Sequence, residues 1–258
     1  MILDDIKKGY IQELIQKGHR SDGRGLMDYR PIHLEKNVIP NAEGSALAYL
    51  GNTKVLCGVK VDVATPFPDR PNEGVFIVNS EFSPMAHPDF NPGPPDERSI
   101  ELARVVDRGI RSAEAIDVKK LLLEEGKVMG VFIDLYTLDH DGNLIDAASL
   151  AAAAALSNTR VPKYESGKFI RDEIAGKLEY SKTVVTCSFE KIAGAPAVDA
   201  TNSEEVASDG RLSLSTCDGN LICAGQKSGK AGFTKAEYLH LIDQAFEKRS
   251  VLLDALKE

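Results

Sequence analysis

The stretch "KVMGVFIDLYTLDHDGNLIDAASLAAAAAL", residues 127–156, is the strongest indication of the fold. Its first part, through Asp139, is a long run of apolar and β-branched residues, which predicts a strand. The turn-forming residues "DHDGN" (139–143) come next, and an alanine-rich stretch follows directly. Alanine favours the helix and has a short side chain, so we expect a buried helix packed closely on a sheet.

Around this stretch, strands and helices follow one another in two similar series. "SALAYLGNTKVLCGVKVDV" (45–63) has the form of a hairpin, and an amphipathic helix is predicted over 99–116. After residue 182, four strand-like runs precede a final helix, for which Thr234 and Glu237 form a capping-box pattern. Strands followed by helices, twice, predict an α/β (α+β) fold, a sandwich of sheets and helices with two similar halves.

The same order divides the chain into three parts that form one compact unit. Residues 1–29 are expected to be an N-terminal helix and loop, residues 30–165 the first half, and residues 183–254 the second half. The polar composition around 161–182 predicts a connection between the halves, and the proline-rich stretch 84–95 predicts an extended loop. The apolar stripe of the first helix is predicted to comprise Ile2, Ile6, Tyr10 and Leu14.

Composition and charge limit the function classes. The chain has 258 residues and a net charge of −8, with 31 basic and 39 acidic residues. This balance does not indicate nucleic-acid binding through bulk charge, although a local patch can oppose the net sign. The longest small apolar run, Ala147–Leu156, is about half as long as the roughly twenty residues that span a bilayer. The charged N-terminus "MILDDIKKGY" predicts no signal peptide, so we expect no membrane association and a cytoplasmic location.

The cysteines and histidines lack the spacing of a metal site. No CxxC pair is present, and the cysteines lie among apolar, β-prone residues, so we interpret them as buried reduced thiols. The five histidines show no metal-ligand spacing either. We therefore expect neither a metal nor a cofactor. The cysteines are Cys57, Cys187, Cys217 and Cys223.

The segment "GQKSGKAG" (225–232) is similar to a nucleotide-binding P-loop but departs from its pattern. A P-loop has four residues between its glycines and a serine or threonine after the lysine. Here three residues separate Gly225 from Gly229, and Ala231 follows Lys230. We interpret the segment as a turn between the last strand and the last helix.

A cluster of acids is the most enzyme-like stretch. "EEVASDGR" (204–211) holds Glu204, Glu205 and Asp209 just before the strand-like run "RLSLSTC". Carboxylates grouped in this way can bind metals or transfer protons. Composition alone leaves open whether the stretch is an active site or a former one.

Five segments follow one another along the chain: "RSDGRGLMDYRPI" (20–32), "GSALAYLGNTKVLCGV" (44–59), "ERSIELARVVDRGIRS" (97–112), "DGNLIDAASLAAAAAL" (141–156) and "CDGNLICAGQKSG" (217–229). In order and spacing they resemble the RNase PH family, and they are most similar to its non-catalytic members in the archaeal exosome. The resemblance covers residues 20–246, nearly the whole chain. It implies a fold of two βαβα-type halves and a six-membered ring, three heterodimers in which catalytic and non-catalytic subunits alternate around an RNA channel. Catalytic members shorten single-stranded RNA from its 3′ end with phosphate, and RNA-binding cap subunits join the ring.

The resemblance also implies that the catalytic positions are degenerate. Asp141 stands where catalytic members have a phosphate-binding arginine. Counting six and twelve residues from Asp199 reaches Glu205 and Arg211, where catalytic members have two aspartates. An arginine cannot donate a proton at neutral pH or bind a metal. Asp209 lies two residues before Arg211, about 6–7 Å along a strand, and replaces the lost acid only if the register slips. We interpret the stretch as the start of a strand that once belonged to an active site, and we expect no catalytic residue.

Arginines along the predicted helix 99–116 are the candidate RNA contacts. Arg104, Arg108 and Arg111 recur at helical spacing and project from one face. A solvated, salt-bridged face is the plain interpretation of such a stripe. In the members that this chain resembles, arginines of this helix hold RNA phosphates at the interface with the catalytic neighbour. Arg98, at a phosphate- or RNA-contacting position of catalytic members, is the fourth candidate.

Three hypotheses follow. The first is a non-catalytic ring subunit that completes a catalytic neighbour's site and binds RNA phosphates. The second is a stand-alone phosphorolytic 3′-to-5′ exoribonuclease that uses Glu205 and Asp209. The third is a purely structural ring subunit whose arginines contact only protein.

Overall fold

The computed structural model describes residues 2–257, and two sheets with helices between them form its centre. The helices are α1 (Ile2–Gln16), α2 (Glu97–Ser112), α3 (Leu144–Ser157), α4 (Asn202–Ala207) and α5 (Lys235–Lys257). The strands are β1 (Ile32–Lys36), β2 (Gly44–Leu50), β3 (Thr53–Ala64), β4 (Val75–Phe82), β5 (Leu122–Glu124), β6 (Lys127–Asp139), β7 (Arg160–Glu165), β8 (Lys168–Lys177), β9 (Val185–Ile192), β10 (Ala195–Val198), β11 (Gly210–Cys217) and β12 (Leu221–Gly229).

The two sheets correspond to the two halves of the chain. The first has the order β1-β2-β3-β6-β4, with β5 added on β6, and the second has the order β10-β9-β11-β12. Only β4 and β6 run parallel among the described strands, because the chain crosses over through α2 between them. The mixed α/β architecture predicted from the sequence is confirmed.

Helix α3 lies between the sheets and is buried along nearly its whole length, as predicted. It packs on β2 and β3 of the first sheet and on β9 of the second. Every residue from Ile145 to Leu156 is buried. Alanine side chains allow both sheets to approach the helix axis closely, which a helix of larger residues would prevent. Beside it, α2 packs on β4 and β12.

The second sheet has one polar and one apolar face. Its polar face meets α3, where Thr186 Oγ1 donates to Ser149 Oγ at 3.1 Å and Ser188 Oγ donates to Asp146 Oδ1 at 2.7 Å. Its other face carries Phe189, which packs with Leu241 of α5. Strand alternation separates these two sets of side chains. The sheet therefore meets α3 through these hydrogen bonds, whereas its contact with α5 combines apolar packing with polar contacts such as the one from Arg249 Nη1 to the Thr216 carbonyl at 3.0 Å.

The apolar face of α1 differs from the predicted one. Ile11 and Ile15 are buried, and they pack against Ile192 and Ala207. The predicted Ile6 and Tyr10 are 62% and 58% exposed, Leu14 is half-buried, and the side chain of Ile2 lies outside the described residues. This short helix carries two overlapping apolar stripes, and its packing against Ile192 and Ala207 determines which stripe is buried.

Two further segments differ from their predictions. The polar stretch 161–182 is mostly the hairpin β7–β8, not a simple connection, and its turn has positive φ at Ser166 and Gly167. β8 is largely exposed, so its strand lacks the apolar alternation that would reveal it. Gly225–Gly229, predicted as part of a turn, lies within β12.

The predicted cap of the last helix agrees with the structure. Thr234 and Glu237 form the predicted box at the start of α5, where the Thr234 amide donates to Glu237 Oε2 at 2.7 Å and the Glu237 amide donates to Thr234 Oγ1 at 3.2 Å. The cysteines are all free thiols; Cys223 is half-buried and the other three are buried. No helix within residues 2–257 combines the length and apolar character needed to cross a membrane.

Candidate functional site

Helix α2 presents an arginine face to solvent and an apolar face to the core. Arg104, Arg108 and Arg111 are exposed, and Asp96 caps the helix by accepting the Ser99 amide at 2.9 Å. The buried side chains are Leu102, Val105, Val106 and Ile110, with Ala113 just beyond the helix. The predicted division between the two faces is therefore present, over a helix that begins at Glu97 and ends at Ser112.

The three arginines line one cleft between α2 and β4, with a volume of about 570 Å³. Arg70, from the loop before β4, adds a fourth guanidinium to its lining. Asp69, Glu73 and Asp107 also line the cleft, so its charge is mixed. The cleft is an open surface where several arginines face one space.

The three arginines differ in what already holds them. Arg111 donates to Asp107 Oδ1 at 2.6 Å and to the Phe76 carbonyl at 3.2 Å, and its guanidinium carbon lies 3.9 Å from the Phe76 ring centroid. Arg108 donates once, to Gln226 Oε1 at 2.9 Å. Arg104 forms no hydrogen bond or ion pair with another residue in the part of the chain that is described. Arg104 thus has all its donors unused within the described residues, and Arg111 has few.

Arg98 lies apart from the other three. It pairs with Asp96 at 3.0 Å, and its guanidinium carbon is 5.2 Å from the Phe90 ring centroid. It faces a smaller cavity of about 100 Å³, which is also lined by His140, Glu205 and Arg211. The structure therefore brings Arg98 together with Glu205 and Arg211 and not with the arginine cleft.

The acid cluster is helical at its start, which differs from the predicted strand. Glu204 and Glu205 lie on α4, and β11 begins only at Gly210. Thr201 and Glu204 form a capping box, and this pattern is visible in the sequence "TNSE" although it was not among the predictions. The local hydrogen bonds of this box favour a helical turn over an extended segment.

Glu204 is a structural residue. Arg20 Nη2 lies 2.5 Å from Glu204 Oε2 and Arg20 Nε lies 2.9 Å from Oε1, with both side chains fully buried. The same carboxylate accepts the Thr201 amide at 2.8 Å. Its acceptors are therefore occupied by partners within the chain, away from solvent.

Glu205 accepts a hydrogen bond from the start of α3. Its Oε1 accepts the Asn143 amide at 2.7 Å. Burial raises the pKa of Glu205, and the Asn143 amide and the charge of Arg211 oppose that rise. The start of a helix is where proteins often bind phosphate through backbone amides. In this chain a carboxylate already accepts the Asn143 amide there.

Arg211 forms contacts with two acids. Its Nη2 lies 3.4 Å from Glu101 Oε1, and its Nε lies 3.9 Å from Glu190 Oε1, directly across the β9–β11 ladder. Burial raises the pKa of Glu190 to about 7, although a hydrogen bond from Ser208 and the charge of Arg211 oppose this rise. Arg211 thus lies beside two carboxyl groups, but its contact with Glu190 is longer than a hydrogen bond, and its Nε has no hydrogen-bond partner within the described residues.

The segment "DHDGN" forms the predicted turn, with positive φ at Gly142 and Asn143. Asp141 lies in it as expected; Arg30 Nη1 donates to its carbonyl at 2.6 Å and lies 3.7 Å from its carboxylate. Burial lowers the pKa of His140 to about 4, and His87 and Arg98 lower it further, so the imidazole is uncharged at neutral pH. The turn offers an anion no positively charged side chain of its own.

The proline-rich loop packs onto this turn within the single chain. The His140 amide donates to the Ala86 carbonyl at 3.1 Å, and Phe90 stacks on His140 with ring centroids 5.4 Å apart. His87 Nε2 lies 3.1 Å from Asn202 Nδ2 of α4. The rings of the proline-rich loop therefore fill the space beside His140. The composition of the loop did not indicate this packing role.

Asp199, the reference for counting the catalytic positions, is fully buried at the centre of a polar network. Its carboxylate accepts from Arg30 at 2.7 Å, from Arg24 at 3.0 Å and from Asn143 at 2.9 Å. Burial alone would raise the pKa of Asp199, but the hydrogen bonds and charge of Arg30 hold it below its usual value. The network joins the N-terminal loop, the start of α3 and the second half.

The chain is similar in sequence to known proteins over nearly its whole length. Residues 28–162 match domain 1 of the 3′ exoribonuclease family, RNase PH, and residues 182–248 match its domain 2. The exosome complex component Rrp42 of Pyrococcus furiosus is 46% identical over 266 residues, covering 100% of this chain and 96% of the relative.

Two solved structures are similar throughout. A chain of the Archaeoglobus fulgidus exosome with RNA bound to the active site has a TM-score of 0.90 and 42% identity, over 98% of this chain and 99% of that one. A chain of an archaeal exosome core has a TM-score of 0.87 and 40% identity, over 100% of this chain and 98% of that one. With two family domains in order and full-length relatives of this identity, the chain belongs to the RNase PH family of 3′ exoribonucleases.

Proposed function

We propose that this chain is a non-catalytic ring subunit of an archaeal-type exosome that binds RNA phosphates next to a catalytic RNase PH-like neighbour. The proposal rests on a contrast between two pairs of residues in this chain. Arg104 and Arg108 are exposed and face an open cleft with most of their donors unused, whereas Glu205 already accepts the Asn143 amide and Arg211 lies half-buried beside Glu101 and Glu190.

The arginine cleft suits phosphate rather than bases. Guanidinium groups bind phosphate oxygens through paired, charge-assisted hydrogen bonds. Such contacts position an RNA strand and carry no base information, so binding would be independent of sequence. Arg104 and Arg108 would supply most of this contact. Arg111 would mainly hold α2 on β4, and Arg98 would act at the edge of the degenerate site.

The degenerate positions are poorly suited to phosphorolysis. Inorganic phosphate and an RNA backbone are both anions, so a catalytic site needs cations and donors to bring them together. Asp141 contributes negative charge in the turn, and Glu205 already accepts the Asn143 amide. At the position of the second acid the chain has Arg211, which lies beside Glu101 and Glu190.

The relatives support an exosome assembly. Pyrococcus furiosus Rrp42 is an exosome complex component, and the A. fulgidus structure contains RNA at the active site of an exosome. For this chain we propose a ring of three heterodimers with a catalytic subunit, joined by RNA-binding cap subunits, in the cytoplasm. Together they would degrade single-stranded RNA from the 3′ end with phosphate.

A reconstitution assay tests the proposal. This chain, the catalytic partner and their mixture are assayed for phosphate-dependent shortening of a single-stranded RNA. We expect no activity from this chain alone, and strongly reduced RNA binding by an intact ring that carries Arg104→Glu with Arg108→Glu. The matched control is Arg160→Glu with Lys177→Glu, which reverses two exposed charges on the hairpin β7–β8. RNA binding equal to wild type in the Arg104/Arg108 variant would favour the purely structural role.

A second candidate function rests on one geometric observation. Glu205 and Asp209 line the same cleft, of about 440 Å³, together with Lys230. A stand-alone exoribonuclease would need two such acids beside one substrate. Phosphate-dependent RNA shortening by this chain alone, abolished by Glu205→Gln, would establish this second function in place of the first.

A further inference from the structure

The polar face of the second sheet reaches α2 as well as α3. In the β11–β12 ladder, Arg211 lies opposite Ser228 and Ser213 opposite Gln226, so these side chains share one face. Ser215 belongs to the same face, and a Cβ added to Gly109 of α2 would lie 3.3 Å from its hydroxyl. Arg211 and Gln226 therefore project toward the helix that carries the arginine cleft.

A continuous series of polar contacts links Arg211 to Arg108. Arg211 Nη2 and Gln226 Nε2 each lie 3.4 Å from the same oxygen, Glu101 Oε1. The other end of the amide, Gln226 Oε1, accepts from Arg108 Nη1 at 2.9 Å. The series crosses from β11 to α2, then to β12, and returns to α2.

The chemistry of the groups fixes the orientation of the Gln226 amide. A guanidinium only donates hydrogen bonds, and an ionised carboxylate only accepts them. The amide oxygen must therefore face Arg108, and the amide nitrogen must face Glu101. Because Glu101 orients the amide, the acceptor offered to Arg108 has one defined direction. Arg104, one turn away on the same face, has no such partner in the described part of the chain.

We propose that Arg211, Glu101 and Gln226 are positioning residues that hold Arg108 in its orientation toward an RNA phosphate. The inference rests on the proposed function of the arginine cleft. An arginine fixed before binding loses less side-chain freedom when it binds its ligand. Arg211, at a degenerate catalytic position, thus orients an RNA contact: its charge attracts Glu101, where an aspartate would repel it.

The test is a double-mutant cycle on RNA affinity, measured with the reconstituted ring and a single-stranded RNA. We expect Gln226→Ala to weaken binding by about threefold to tenfold, which lies in the lower part of the range that coupled neighbours show. In an Arg108→Ala ring, Gln226→Ala should cause no further loss. In an Arg104→Ala ring, it should cause its full loss, because Arg104 is not part of the series. Ser228→Ala, on the same face of the same strand, is the matched control and should bind as wild type.

Arg211 is tested by conservative rescue. Arg211→Ala should weaken RNA binding as Gln226→Ala does, and Arg211→Lys should restore most of it because a lysine keeps the charge that attracts Glu101. Thermal unfolding of each variant chain reports separately on folding.

Two outcomes would contradict the inference, and they differ in meaning. If Gln226→Ala weakens binding equally with and without Arg108, the positioning role is wrong but the RNA contact stands. If Arg108→Ala leaves the affinity of an intact ring unchanged, the proposed RNA contact of Arg108 fails, and the positioning role fails with it.

Discussion

Arg20 and Glu204 form a fully buried ion pair, in which Nη2 and Oε2 are 2.5 Å apart and neither side chain reaches solvent. Arg20 also donates to the carbonyls of Val198 and Asp199 at 2.8 Å. The pair therefore fixes the N-terminal loop onto the second half of the chain. Removing either partner would leave an uncompensated buried charge, which is strongly destabilising.

Glu204→Ala should destabilise the chain strongly, because it leaves the Arg20 guanidinium buried and unpaired. Breaking such a pair typically costs about 3–5 kcal/mol of unfolding free energy. Chemical denaturation measures the loss, and the exposed Glu247→Ala serves as a control that should change little. A Glu204→Ala chain as stable as wild type would contradict the buried-pair assignment.

Glu190 should make stability depend on pH. Its pKa in the folded chain is about 7, against an ordinary value of 4.5, so the folded state holds the proton more tightly than the unfolded state does. The resulting stabilisation is complete below pH 4.5 and is lost as the pH rises to about 7. A shift of this size corresponds to about 3 kcal/mol.

In Glu190→Gln this titration is absent. The difference in unfolding free energy, variant minus wild type, should therefore increase between pH 5 and pH 8. Denaturant titrations at several pH values measure it, with the exposed Glu173→Gln as control. A constant difference across this range would show that Glu190 is ionised throughout.

Gly142→Ala should destabilise the turn before α3 for two reasons. Gly142 has a φ of +86°, and an added Cβ would collide with the Ala200 carbonyl oxygen. We expect a loss of about 2 kcal/mol or more. Gly18→Ala is the matched control, since its φ is +75° with no atom within 4 Å of an added Cβ. It should show the cost of φ alone, about 1 kcal/mol, and equal losses at both positions would exclude the steric term.

The arginines of α2 should differ in the salt dependence of RNA binding. Removing one arginine that neutralises a phosphate of single-stranded RNA reduces the slope of log K against log salt by about 0.7. Arg104→Ala and Arg108→Ala should each show this reduction in the assembled ring. Arg111→Ala should change the slope less and the thermal stability more, because Arg111 is held by Asp107 and packs on Phe76. Equal slopes for all three variants would contradict this division.

Sequence patterns predicted the elements whose signals are local. The alanine-rich α3, the arginine face of α2 and the Thr234–Glu237 cap all depend on residue type and spacing along a few turns. The same reasoning missed the apolar face of α1, because Ile192 and Ala207, distant in sequence, decide which stripe is buried.

The contacts of the candidate site also depend on residues that are distant in sequence, so local patterns could not predict them. Counting positions located Glu205 and Arg211, but it could not show that Glu205 binds the Asn143 amide or that Arg211 contacts Glu101. These partners lie 62 and 110 residues away along the chain. Only the packing of the second half on α2 and α3 creates such contacts.

Because of the network around Asp199, neither half of the molecule contains all the partners of its own buried charges. A cut between the halves would leave Arg30 and Asn143 on one fragment and the buried Asp199 carboxylate on the other. Each fragment would expose charges that the intact chain neutralises in its interior. Two such fragments, produced separately, should therefore be poorly folded alone and recover structure when mixed, as the parts of a split protein do.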